Sequence, residues 1–223
     1  MDILSSIAPL ICIFVAMFFI WLGIGWFGYK SGAKKYLKPL SALINGTVKI
    51  PIFGESSLEG VWGGRKVKIV YAPANSRFRA EKIIFYFSCA LPVEMAISRK
   101  RFFDKIKDRL KASLKMEDME FDSKYVVRTK DEMRTRNFLN HSRRDIIQRL
   151  FNLITLGTEE IPPLESKKDR QALKIFEGNK TILELKLDQI VLRHYIVKIS
   201  LPPSDAVPII FEGILKTMKQ LTE

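Results

Sequence analysis

The 223-residue chain has room for one membrane segment and one domain of ordinary size, or two small ones. Its 47% hydrophobic content excludes extensive disorder, and two cysteines, Cys12 in an oily segment and Cys89 far beyond it, exclude a disulfide framework. The net charge of +13 is unevenly placed: only Asp2 is charged before Lys30, so the remainder carries 37 bases against 23 acids.

From Ile7 to Tyr29 no side chain is charged. At about 1.5 Å per residue such a helix spans a hydrocarbon core about 30 Å thick. Ser5 or Ser6 can cap its start, Pro9 falls in the first turn, and Trp21, Trp26 and Tyr29 gather at the far end, as aromatics do at an interface. "MDILSS" lacks the basic region of a cleaved signal, and the apolar run is too long for one. Residues 1–29 therefore read as a retained transmembrane anchor. Lys30, Lys34, Lys35 and Lys38 flank it on one side only, which places the N-terminus outside and the rest of the chain in the cytoplasm.

Residues 30–45 read as a juxtamembrane linker or helix, broken at Pro39 and ended by the turn signal "ING" at 44–46. Residues 46–223 read as a basic soluble domain, divisible into halves 46–115 and 116–223. "TVKIPIF" (47–53), "LEGVW" (58–62) and "RKVKIVYA" (65–72) alternate as strands, and Gly63-Gly64 joins the last two as a hairpin. "KIIFYFSCA" (82–90) and "PVEMAIS" (92–98) continue the sheet. In "RKRFFDKIKDRLKASLK" (99–115) the period changes: Phe103, Ile106, Leu110 and Leu114 have helical spacing. An acidic turn, "MEDMEFD", precedes the strand "SKYVVRT" (123–129).

Thr129 and Glu132 form a capping box for a helix with Met133, Phe138 and Leu139 as apolar positions. Ser142 can start another, carrying Ile146, Ile147, Leu150, Phe151 and Ile154. The strands "ALKIFE" (172–177), "TILELKL" (181–187) and "VLRHYIVKIS" (191–200) follow. A helix from about Ser204 to Leu221 closes the chain, with Val207, Ile210, Phe211, Leu215 and Met218 on its apolar side. The fold class is α+β: a mostly antiparallel sheet with helices packed on one face, behind a single transmembrane helix.

Within "FDSKYVVRTKDEMRTRNFLNHSRRDIIQRLF" (121–151), Phe121, Asp122, Tyr125, Val127, Asp131, Phe138 and Leu139 follow a strand-then-helix pattern. The stretch resembles membrane-anchored prokaryotic domains of unknown function. The resemblance covers about a seventh of the chain. It implies an anchor-plus-domain layout and carries over no catalytic residue.

The search for chemistry yields no catalytic, cofactor or metal site. His141, His194, Cys12 and Cys89 lack metal-ligand spacing, and "EDMEFD" lacks the length and glycine of a calcium loop. Cys89 reads as a buried thiol among phenylalanines, and His194 as a core histidine on the face of Leu192 and Ile196. "GVWGGRK" joins strand to strand and so is no phosphate loop.

The basic residues carry the functional expectation. Arg99, Lys100, Arg101, Lys105, Lys107, Arg109 and Lys111 mark a candidate surface for anionic ligands, continuing the four lysines beside the anchor. Tethered at an anionic leaflet, each base near it adds about 1 kcal/mol of attraction. The expected partner is membrane lipid or a membrane protein. Nucleic acid is disfavoured because no groove-reading motif appears, and homo-oligomerisation is left open. A membrane-surface enzyme with a carboxylate site, or a nucleic-acid tether, are the alternatives.

Overall fold

The computed structural model describes residues 37–51, 55–72, 81–100, 113–155, 180–196 and 206–223, with positions 16, 17, 23, 30, 33 and 34. Eight strands form one sheet: β1 (Thr47–Lys49), β2 (Ser56–Trp62), β3 (Arg65–Ala72), β4 (Glu81–Ser88), β5 (Met95–Arg99), β6 (Tyr125–Thr129), β7 (Lys180–Lys186) and β8 (Gln189–Ile196). Their order is β1-β2-β3-β4-β8-β7-β5-β6, and every neighbouring pair is antiparallel. Strands of the two halves of the sequence thus alternate within a single sheet, with β8 and β7 between β4 and β5.

Four helices are described: α1 (Met119–Lys124), α2 (Glu132–Phe138), α3 (His141–Thr155) and α4 (Ala206–Gln220). Among the described residues none is long and apolar enough to cross a membrane. The residues expected to do so, 7–29, lie outside the description except for Ala16, Met17 and Gly23, which are helical. The expected strand 172–177 also lies outside it.

Period-2 alternation sets the inner face. Leu58, Val67, Ile69, Phe85, Phe87, Leu183, Leu185, Ile190, Leu192 and Ile97 point into one core and are nearly inaccessible. The β2–β3 turn works because Gly63 and Gly64 have φ of 56° and 77°, the left-handed pair a two-residue hairpin demands. Helices α3 and α4 cover this face. Phe151 of α3 meets Tyr125 at 5.1 Å between ring centroids, and Phe211 of α4 meets Phe85 at 4.8 Å. Gly213 of α4 packs beside the Leu153 side chain of α3.

The segment expected as a juxtamembrane linker or helix contributes to the same core. Ala33, Leu37, Leu40 and Ile44 are each 0% exposed. The Ile44 carbonyl accepts from the Val61 amide at 2.8 Å, extending the edge of β2 beyond β1. Gly60 is required at this contact, because a Cβ would collide with the Ile44 carbonyl oxygen. The folded unit therefore reaches back at least to Ala33 rather than starting at 46.

Several local expectations need correction. Arg99 ends β5, and Leu114 bridges Val127, its amide donating a hydrogen bond of 3.0 Å to the Val127 carbonyl, so neither end of 99–115 is helical. Asp131, not Thr129, caps α2 by accepting from the Arg134 amide at 3.0 Å; Thr129 instead bonds the Asp131 amide and the Thr135 hydroxyl. Asn140, not Ser142, caps α3 through the Arg143 amide at 2.9 Å. Met133 is exposed, because α2 turns only Thr135 and Phe138 inward. The acidic stretch is structural: Asp118 caps α1, and Asp122 accepts from the Met116 amide with both oxygens at 3.0 and 3.1 Å.

Candidate functional site

The registers align one row of residues across the inner face near one end of the sheet. Tyr125 pairs with Arg99, His194 with Thr181 and with Ile83, Tyr71 with Ile83, and Ser56 with Tyr71. Extending the β5–β7 register by one step from Ser98 and Ile182 places Arg99 beside Thr181. This row thus places several polar groups at one level of a face that is otherwise mainly aliphatic and aromatic. His194 and Thr181 are buried and share a hydrogen bond of 2.9 Å between Nδ1 and Oγ1. Burial, and then the nearby Arg99 cation, push the His194 pKa down to about 4. The ring is therefore neutral at pH 7, and the positive charge of this region lies on the side chains around it.

Those side chains bound a cleft of about 370 Å³, lined by Arg99, Lys100, Lys124, Tyr125, Gln148 and Asn152. Each comes from a separate local cause. Arg99 is the last residue of β5, and its Nη2 donates to Asn152 Oδ1 at 2.8 Å. The Lys100 amide donates to the Lys124 carbonyl at 2.7 Å, which joins the end of β5 to the end of α1. Lys124 pairs with Glu120 at 2.7 Å, one turn back along α1, and that hydrogen bond raises its pKa. Gln148 and Asn152 lie one turn apart on α3. Tyr125 is 4% exposed, with its ring held between Phe121 and Phe151 at 4.8 and 5.1 Å. No carboxylate lines the cleft among the described residues.

Of the predicted anionic-surface residues, the structure brings Arg99 and Lys100 together in this cleft. Arg101, Lys105, Lys107, Arg109 and Lys111 lie outside the described residues, as does Lys35 of the membrane-proximal group. Lys34 and Lys38 are exposed on the packed N-terminal segment, and Lys30 is half-buried there. Lys124, Gln148 and Asn152 were not singled out from the sequence. Nothing local marks them, because their common feature is the cleft that three separate elements form.

A second basic feature is the outer face of the sheet. Lys49, Lys66, Lys68, Lys82, Arg128, Lys186 and Arg193 point that way against Glu55, Glu59 and Glu184. Glu59 bridges Lys68 at 2.7 Å and Lys49 at 3.2 Å, and its pKa is lowered, first by Lys68. Glu184 pairs with Arg193, and Glu55 with Lys82 at 3.3 Å. Among the described residues Lys66, Arg128 and Lys186 have no ion pair. Val70, Ile84 and Val191 form a small buried cluster at the centre of this face. The strand alternation already placed Lys66 and Lys68 opposite Val67 and Ile69, so this surface had a signal in the sequence.

A larger groove, about 600 Å³, opens near the start of α3 between Leu91, Pro92, Phe138 and Leu221, with Arg134 and Arg143 beside them. Arg143 is occupied structurally: its guanidinium lies 4.4 Å from the Phe138 ring centroid and donates to the Phe138 carbonyl. Cys89 is buried, and desolvation raises its thiol pKa, so it is a poor nucleophile. Among the described residues no three His, Cys, Asp or Glu side chains gather as a metal site. No protein-family model, curated protein or solved structure matches the chain.

Proposed function

We propose that this is a single-pass membrane protein whose basic α+β domain, held on the cytoplasmic side, binds anionic lipid or a membrane-associated partner. One observation carries the reading. Ala33 is fully buried in the core four residues after the uncharged run ends at Tyr29. A domain whose core begins there has little slack chain between itself and the proposed anchor. Screened attraction to headgroups decays over about 8 Å at physiological salt, so it matters only for bases held that close. Exposed Lys34 and Lys38 lie on that same segment.

Binding is the role these cavities support, since they bring together bases, amides and apolar groups that suit an anionic partner. The test uses full-length protein reconstituted in vesicles of mixed neutral and anionic lipid and then extracted. Anionic lipid should be enriched in the co-purifying fraction at low salt, and about 1 M salt should abolish the enrichment. A co-purifying composition equal to the bulk at low salt overturns the lipid reading.

A further inference from the structure

We propose that the end of the sheet carrying the β2–β3 and β7–β8 turns docks on the lipid headgroup layer, with the side chains of Val61 and Leu187 entering it. This rests on the membrane reading and deepens it by naming the surface that meets the bilayer.

The strand directions bring the two turns to one end. β2 stops at Trp62 and β3 starts at Arg65, while β7 stops at Lys186 and β8 starts at Gln189. Val61 pairs with Lys66, Ser88 with Gln189, and Gln189 with Lys186. Extending the β3–β4 register by one step from Val67 and Phe87 sets Lys66 beside Ser88. These five residues form one row across the outer face, about 19 Å long at about 4.8 Å per strand step. An exposed apolar side chain marks each end of it: Val61 is 50% exposed, and Leu187, which follows Lys186, is 56% exposed. Both positions are fixed through the backbone. The Val61 amide donates to the Ile44 carbonyl at 2.8 Å, and the Leu187 carbonyl accepts from the Leu91 amide at 2.9 Å. Trp62, half-buried beside Val61, adds an aromatic of the kind enriched at membrane–water interfaces.

Each apolar end has a lysine next to it. Lys66 and Lys186 are in no ion pair among the described residues. A lysine so placed suits a headgroup boundary, because its stem lies with apolar groups while its ammonium reaches phosphate. The row itself contains no acid. Glu59 and Glu184, one row further along the strands, are already paired with Lys68 and Arg193. Asp188 in the β7–β8 turn, and Glu94, which the β5–β7 register sets beside Lys186, offset part of the charge. That offset disfavours nucleic acid, whose binding depends on an excess of bases. Apolar insertion beside two lysines tolerates it.

The anchor side of the chain also meets the sheet at this end. Ile44 bonds Val61 itself, and Ala33, Leu37 and Leu40 before it are buried in the core. The short connection to the proposed anchor therefore leads to the row of Val61 and Lys66.

The test uses the full-length chain with Cys12→Ser and Cys89→Ala, in nanodiscs of phosphatidylcholine and phosphatidylserine. A nitroxide is attached at Val61→Cys, at Leu187→Cys, or at Ser123→Cys, an exposed position at the opposite end of the sheet beside the start of β6. Collisions are measured with oxygen, which concentrates in lipid, and with a water-soluble nickel chelate. The oxygen-to-nickel ratio at 61 and at 187 should exceed that at 123 at least threefold. Lys66→Gln with Lys186→Gln should lower the ratio at 61 at least twofold, and an unchanged ratio removes the two lysines from the docking surface.

Equal ratios at all three positions overturn the proposal. Loss of collisions with both reagents at 61 and 187 assigns this end to a protein contact, such as a second copy, and overturns it too. A chain that enters the nanodiscs and enriches anionic lipid, yet keeps 61 and 187 as water-exposed as 123, leaves the membrane reading standing without this surface. A chain that does not enter them overturns both.

Discussion

At the scale of the residue, buried polar groups are fixed by their partners. His194 shows the consequence most directly. Its folded pKa of about 4 lies below the ordinary 6.5, so between those values the unfolded chain binds the extra proton. Its contribution to stability is therefore complete above pH 6.5 and is lost as pH falls toward 4. Between pH 7.5 and 5 the loss amounts to about 2 kcal/mol. His194→Gln should flatten that part of the stability curve, measured as the thermal midpoint of the full chain in mild detergent. An unchanged slope would show that some other group governs the window. The sequence marked His194 as a core residue from its alternation with Leu192. It could not name Thr181 as the partner, because that pairing exists only through the β7–β8 register.

At the scale of the element, start signals compete over one or two residues. Ser142 and Asn140 both precede the apolar run of α3, and both are residues that cap helices. The structure selects Asn140, whose side chain accepts from the Arg143 amide. Asn140→Ala should cost about 1 kcal/mol of stability, whereas Ser142→Ala should cost less than about 0.5 kcal/mol, read from denaturant midpoints. The opposite ranking would assign the cap to Ser142. The same competition separates Asp131 from Thr129 at α2. Existence and type were legible for the β2–β3 hairpin, α3 and α4, because long periodic runs and a Gly-Gly turn leave few alternatives. The short α1 was not legible: its sequence reads as an acidic turn, and it is held by Asp118 and Asp122 bonding backbone amides.

At the scale of the whole molecule, the proposed topology has a clear consequence. Glu223 is exposed, so a reporter fused after it leaves the buried Leu221 undisturbed. Such a fusion should be active only in the cytoplasm, and activity outside would reverse the proposed orientation. The sequence by itself determined the α+β class, the concentration of bases after Lys30, and the alternation that sends Val67, Ile69 and Tyr71 inward and Lys66 and Lys68 outward. These are local properties, set by period and composition. Only the tertiary structure decided that both halves of the chain share one sheet, since strand order depends on pairing between residues about a hundred positions apart. It also made Ala33, Leu37, Leu40 and Ile44 part of the core, through a face completed by β2. And it brought Arg99 and Lys100 to Lys124, Gln148 and Asn152, because a cleft is defined by where separate elements end, and no stretch of sequence encodes that by itself.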